Sequence, residues 1–279
     1  MVRQRLAAGE QICLFLDYDG TLVPIAYRLE EVHSDSALTE LLTGLVKLPA
    51  IRVVILSGRS LSSLRAMLPI PGLTLAGTYG IEIQMPGQDV IMRAEPDRAR
   101  PVIERVKLAW AQLVTGRSGF VLEDKGLAVA LHASWADPLD ADFVLPQARS
   151  AAMHIITLDR FRILSGERYL EVAPATAHKG LAVEWLLDHR VSGDPLLIYC
   201  GDDDKDEEAF KVVRRRGGIP IVVGKVRRAT LATHRFDSPN ALRSWLKELE
   251  EVAKKNHPFM EKGQYTRKNG LNSGSPYER

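Results

Sequence analysis

A chain of 279 residues, 46% hydrophobic and 26% charged, is long enough for one large globular domain or two modest ones with a substantial buried core. A formal net charge of +2 argues against a nucleic-acid footprint; no apolar run approaches the roughly 18 residues of a membrane span, and no charged stretch leads into an apolar segment as a secretion signal would. These bounds leave the expectation of a soluble, cytoplasmic protein acting on a small molecule, with no membrane or nucleic-acid partner.

Three apolar runs, "ICLFLDYDG" at 12–20, "IRVVILSGR" at 51–59 and "PLLIYCGDD" at 195–203, end in small or polar residues without alternating. Such runs predict central strands of a parallel sheet covered on both faces. The two cysteines, Cys13 and Cys200, lie inside these runs and are expected as buried thiols rather than a disulfide or metal ligands. Helical patterns at 36–48 and 175–190 complete a doubly wound α/β domain. In such a domain ligands collect where the carboxyl ends of the strands open onto a crevice.

From about 84 the βα rhythm breaks. A helix near 96–114 is followed by a hairpin pattern at 120–133 with a Lys-Gly turn, a helical stretch interrupted by Pro146, and a second hairpin around Ser165 and Gly166. The expectation is an α+β domain over 85–172 inserted into a core formed by 1–84 plus 173–252. Residues 253–279 read as a flexible tail, polar and without periodicity, with a partner contact through Phe259 and Tyr265 as the alternative.

The chemistry sits at the strand ends. Asp17 and Asp19, at i and i+2, would share a face of a strand, where two carboxylates repel by roughly 4 kcal/mol. "GDDDKDEEAF" at 201–210 adds more acid at another strand end. A helix macrodipole accounts for Glu207, Glu208 and part of Asp206, but not for Asp202, directly after Gly201. Converging carboxylates with room for substrate oxygens suit a hard dication, so Mg2+ with a phosphate is the leading reading. Ser57 offers a hydroxyl, and Gly58 after it lets backbone approach a ligand. Lys179 lies near the start of a helix that Thr176 could cap, where the macrodipole disfavours a cation, so an anion is its expected partner.

"DYDGTL", "SGRS", "HKG" and "GDDDKDEEAF", in that order, resemble the four motifs of the haloacid dehalogenase superfamily. "LAGTYGIEI", "EDKGLAVALH" and "GERYLEVAP" narrow the resemblance to trehalose-6-phosphate phosphatases, over about residues 12–245. It implies a HAD-like core with a C2-type cap for the inserted segment. It also implies a nucleophile at Asp17, a general acid and base at Asp19, and Ser57 and Lys179 on the phosphoryl oxygens. Mg2+ would be held by Asp17, Asp19 through its carbonyl, and Asp202, with Thr21, Gly58, Arg59, Asp203 and Asp206 in support. On the sugar side the family pattern points to Glu82, Glu123, Lys125, His132 and Glu171.

The chain departs from that pattern at Tyr79, where histidine is usual, and at Ser134 and Ala173, where arginines are expected. The reading is an Mg2+-dependent sugar-phosphate phosphatase, acting on trehalose 6-phosphate and functionally linked to a trehalose-6-phosphate synthase. A related glycosyl phosphate as substrate, or a non-catalytic sugar-phosphate sensor, is the alternative.

Overall fold

Strand β1 (Ile12–Leu16) is buried throughout, and its side chains divide by parity: Ile12, Leu14 and Leu16 join one apolar cluster, Cys13 and Phe15 another. A strand buried on both faces has no solvent side for polar residues, so the run is continuous rather than alternating. The computed structural model describes residues 1–25, 35–166, 168–191, 193–225 and 228–256.

In chain order the remaining elements are α1 (Val2–Ala7), α2 (Ser36–Val46), β2 (Ile51–Leu56), α3 (Leu61–Met67), β3 (Thr74–Gly77), β4 (Glu82–Gln84), β5 (Ile91–Met92), α4 (Pro96–Val114), β6 (Val121–Asp124), β7 (Val129–His132), α5 (Pro138–Ile155), β8 (Phe161–Gly166), β9 (Tyr169–Pro174), α6 (Lys179–Arg190), β10 (Leu196–Gly201), α7 (Glu207–Arg215), β11 (Ile219–Val223), β12 (His234–Phe236) and α8 (Pro239–Asn256). The large sheet runs β12-β11-β10-β1-β2-β3-β4-β5. Its first six strands are parallel and the last two antiparallel. Chain order reverses at β1, which pairs with β10 on one side and β2 on the other, so the crevice opens over the carboxyl ends of these strands.

Local signals fix the flanking helices. Asp35 caps α2, accepting from the Leu38 amide at 3.0 Å, and Leu38, Leu42 and Leu45 form its buried stripe. Ser60 caps α3, accepting from Ser63 at 3.2 Å.

The inserted domain is an antiparallel sheet, β6-β7-β9-β8, covered by α4 and α5. The buried indole of Trp110 on α4 donates to the Ala148 carbonyl of α5 at 2.8 Å, tying the two helices together. Helix α5 runs unbroken through Pro146, which was expected to interrupt it. The expected boundaries also move. β5 pairs with β4 in the large sheet, so the core extends past 84 to 92, and β9 carries the cap past 172 to Pro174. At the other end, 253–256 belong to α8 rather than to a tail; residues 257–279, with Phe259 and Tyr265, lie outside the described residues. Among the described residues no helix is long and apolar enough to cross a membrane.

Candidate active site

β1 ends at Leu16, and the Asp17 amide donates to the Cys200 carbonyl of β10 at 2.9 Å. Asp19 lies beyond the strand on the following turn, so the two carboxylates do not share a strand face as the spacing suggested; they diverge to different cations. Asp17, buried, accepts from Lys179 Nζ at 2.7 Å. Asp19 is gripped by the Arg59 guanidinium, with Nε and Nη2 each 2.6 Å from one of its oxygens.

Lys179 is the first residue of α6, and its buried ammonium meets Asp206 at 2.6 Å as well as Asp17. Burial works against that charge, but Asp17 and Asp206 outweigh it and hold the ammonium well above the usual lysine range. The cap of α6 is His178, whose Nδ1 accepts from the Leu181 amide at 3.2 Å, not Thr176 as expected. The macrodipole penalty at Lys179 is offset by these two carboxylates and, at its own amide, by Glu208 at 3.0 Å.

Asp206 is saturated. One oxygen accepts from Lys179 and from Tyr199 Oη at 2.8 Å; the other accepts the amides of Asp202 and Asp203 at 2.9 and 3.0 Å. Its role is to shape the turn after β10. Glu207 and Glu208 at the start of α7 are likewise engaged, with Arg228 at 2.6 Å and Arg162 at 2.5 Å.

Asp17 and Asp202 face each other without such satisfaction. Carboxylate oxygens of Asp17, Asp202 and Asp206 lie within 4.8 Å of one another. Thr21 Oγ1 sits 3.2 Å from Asp17 Oδ2 and 3.1 Å from Asp202 Oδ1, yet has one proton to give. Gly20, at φ +76°, permits the approach: a Cβ there would lie 2.0 Å from Asp202 Oδ2. Burial pushes Asp17 well above the carboxylate range, Lys179 pulling down and Asp206, Asp202 and Asp203 pushing up. Burial, with Asp206 and Asp203, pushes Asp202 up to about 7. Burial would raise Asp203 also, but Lys179 and Lys205 outweigh it and hold that carboxyl at about 2. A cluster short of positive charge, with oxygen donors only, fits a hard dication; since Asp206 has no capacity left, Asp17 and Asp202 are the side chains that would hold it.

A cavity of about 380 Å³ lies over these groups, bounded by the core on one side and the cap on the other. Asp17, Asp19, Ser57, Gly58, Arg59, Lys179, Asp202 and Asp203 line the core side, and Glu123, Lys125 and His132 the cap side. Ser57 accepts from the Arg59 amide at 3.2 Å, which leaves its hydroxyl proton for a ligand. His132 Nε2 meets Glu123 at 2.9 Å. Burial would raise the Glu123 carboxyl, but His132 and Lys125 hold it below the usual range.

Two expected sugar contacts lie elsewhere. Glu171 is fully buried and accepts from Tyr79 Oη at 2.9 Å and from Lys125 Nζ at 3.1 Å, so it orients residues of the cavity wall rather than lining it. Glu82 does not line the cavity either; it accepts from the Leu61 amide at 3.2 Å and Thr78 Oγ1 at 3.0 Å. Thr78 and Tyr79 have φ of +48° and +56°, a left-handed turn that these bonds hold in place. Gly58 serves packing: a Cβ there would lie 2.7 Å from the Tyr79 ring.

Sequence reasoning also missed cavity residues. Trp135 is 42% exposed and lines the cavity with Ile25, Tyr79, Ser134 and Lys205. No strand-end position or charge pattern marks these; Ser134 and Tyr79 were visible only as departures from the family pattern. Ala173, the third departure, is buried in the cap's apolar cluster together with Tyr79.

Residues 15–240 match the trehalose-phosphatase family pattern. The chain is 30% identical over 257 residues to probable trehalose-phosphate phosphatase D of Arabidopsis thaliana, covering 87% of this chain and 68% of that one. To trehalose-phosphate phosphatase of Mycobacterium avium it is 31% identical over 242 residues, covering 83% and 60%. In fold it is similar to the C-terminal domain of C. albicans trehalose-6-phosphate phosphatase, with TM-score 0.78, 21% identity and coverage of 90% and 97%. It is also similar to a haloacid dehalogenase-like hydrolase from Bacteroides thetaiotaomicron, with TM-score 0.60, 15% identity and coverage of 86% and 99%. The chain therefore belongs to the trehalose-phosphatase family, and is an enzyme of the phosphoric monoester hydrolase class.

Proposed function

We propose that the protein hydrolyses trehalose 6-phosphate to trehalose and phosphate through an aspartyl-phosphate at Asp17, with Mg2+ as cofactor. The observation that carries the reading is the setting of Asp17, a buried carboxylate at a strand end, held by Lys179 at 2.7 Å and open to the cavity. One Asp17 oxygen attacks phosphorus in line with the departing sugar oxygen, and the P–O bond to the sugar breaks. Ser57 and the remaining N–H of Lys179 hold the phosphoryl oxygens as charge shifts onto them.

Asp19 gives its proton to the sugar oxygen, then takes one from the water that hydrolyses the acyl phosphate. Both oxygens of this carboxylate are taken by Arg59, so proton delivery to the sugar requires that substrate binding loosen the pair. Mg2+, held by Asp17, Asp202 and the Asp19 carbonyl, would supply positive charge for the phosphoryl group and relieve the repulsion between the two carboxylates. The substrate is the product of a glycosyl transfer onto a sugar phosphate, hence the link to a trehalose-6-phosphate synthase.

The cap supports a gating role, with hinges at the crossings near 93–95 and 175–178, shifted from the expected 84 and 172 by the extent of β5 and β9. The experiment is phosphate release from trehalose 6-phosphate, sucrose 6-phosphate, glucose 6-phosphate and glucosylglycerol phosphate, with Mg2+ or EDTA, and Asp17→Asn as the blank. Mg2+-dependent preference for trehalose 6-phosphate, absent in the variant, is expected. Preference for another member would keep the mechanism and replace the substrate; release from none would overturn the reading.

A further inference from the structure

Among the described residues four cations line the cavity, and three are committed. Arg59 spends its fork on Asp19. Lys125 donates to the Gly58 carbonyl at 3.0 Å and to Glu171. Lys179, 3% exposed, is shared by Asp17 and Asp206, which leaves it one donor.

Lys205 differs. Its ammonium donates to Asp203 Oδ2 at 2.7 Å and its amide to Asp203 Oδ1 at 2.9 Å, so one carboxylate fixes both ends of the residue. Two of its three ammonium protons remain for other acceptors. The side chain reaches from the turn before α7 across to the cap, with Nζ 5.6 Å from the Tyr169 ring centroid. Tyr169 lies 5.1 Å from the His132 ring, and His132 bonds Glu123. Lys205, His132 and Glu123 line the cavity, and Tyr169, behind them, links the Lys205 ammonium to the His132 ring. The two places where the family resemblance expects arginines carry Ser134 and the buried Ala173, neither of which can donate as a cation.

We propose that Lys205 is a specificity-determining residue, donating from the core to hydroxyl oxygens of the sugar and so taking over recognition that the cap's missing arginines would have performed. The inference rests on the sugar-phosphate phosphatase reading above. An ammonium is a point donor that suits clustered hydroxyls at varied angles, whereas a guanidinium demands a planar match. Because Lys205 is three residues from Asp202 and stacks on a cap tyrosine, sugar contact at its Nζ would also draw cap and core together.

The test compares kcat/KM for trehalose 6-phosphate with that for p-nitrophenyl phosphate, which has no sugar, in the parent, Lys205→Met and Lys205→Arg. The ratio is expected to fall by at least about tenfold in Lys205→Met, the worth of one charged hydrogen bond, mostly through KM. Lys205→Arg should recover part of it, and inhibition by free trehalose should weaken in parallel with the KM change. A ratio within twofold of the parent in Lys205→Met, with an unchanged thermal midpoint, overturns the inference. An equal fall in both substrates, not recovered by arginine, assigns Lys205 to the structure of the Asp202 turn and overturns it as well. A parent protein that hydrolyses p-nitrophenyl phosphate but none of the sugar phosphates would instead defeat the substrate reading itself.

Discussion

The two ends of the cavity are built differently. At the phosphoryl end the charged groups are held by core elements and the three at its base are buried: Asp206 accepts four donors, Lys179 bridges two carboxylates, and Asp17 is tied to both β10 and α6. At the sugar end the groups are more open and largely come from the cap, with Trp135 exposed, His132 paired to Glu123, and Ser134 presenting only a short hydroxyl. Of the three departures from the family pattern, Tyr79 and Ser134 line the cavity and Ala173 is buried in the cap's apolar cluster. A buried charge network leaves little room for substitution because removing one member strands another at a cost of several kcal/mol. A partly solvated wall tolerates exchange, and exchange there alters which sugar fits.

The contrast is sharpened first by Asp17→Asn. Turnover of every phosphate ester should fall by more than about 10⁴-fold, as expected when an attacking group is removed. Measurable turnover near the parent level would sink the nucleophile assignment. Asp19→Asn should cost about 10²- to 10⁴-fold on a sugar phosphate, or roughly 3 to 5 kcal/mol. In kcat/KM, which reports the steps up to phosphorylation of Asp17, the loss should be much smaller on p-nitrophenyl phosphate, whose leaving group needs no proton. Equal losses on both substrates would remove Asp19 from the role of acid.

Metal removal probes the same end through stability. Asp202 rises from 3.8 to about 7 in the folded, metal-free protein, so folding favours its protonated form. That contribution is fully present below pH 3.8 and is lost as pH climbs through about 7. The melting temperature of EDTA-treated protein should therefore drop between pH 5 and pH 7.5, by the equivalent of a few kcal/mol. Excess Mg2+ should flatten the drop. A pH profile indifferent to Mg2+ would argue against a dication between Asp17 and Asp202.

Much of the phosphoryl end was legible because strand ends in a doubly wound sheet converge, and because Asp17, Asp19, Ser57, Lys179 and Asp202 each sit where local structure gives no reason for them. Less was legible in the cap. Glu171 and Lys125 were marked by the resemblance, but whether a carboxylate lines a cavity or lies beneath it depends on packing, and no period in "GERYLEVAP" reports that. The boundary at 84 was misplaced because β5 is two residues long, too short for any periodic signal.

Gly58→Ala should act across both ends. The new methyl meets the Tyr79 ring and would displace it, at about 1 to 3 kcal/mol for overpacking. Since Tyr79 Oη bonds Glu171, which in turn orients Lys125, KM for the sugar phosphate should rise with the loss of stability. A stability loss with KM unmoved would separate Tyr79 from recognition.

The smallest effect is expected at Glu82, where the family pattern and the geometry disagree most directly. Its carboxylate accepts from Leu61, the first residue of α3, and from Thr78 in the left-handed turn. A negative charge at a helix N-terminus contributes about 0.3 to 1 kcal/mol, and a hydrogen bond to a charged group somewhat more than a neutral one. Glu82→Gln keeps an acceptor but loses the charge, so denaturant unfolding should show a loss of about 0.5 to 1.5 kcal/mol. KM for trehalose 6-phosphate should stay within twofold, because Glu82 does not reach the cavity. A tenfold rise in KM without loss of stability would mean that this carboxylate turns toward substrate when the cap closes, and the division between a fixed phosphoryl end and an adaptable sugar end would have to extend into the core sheet.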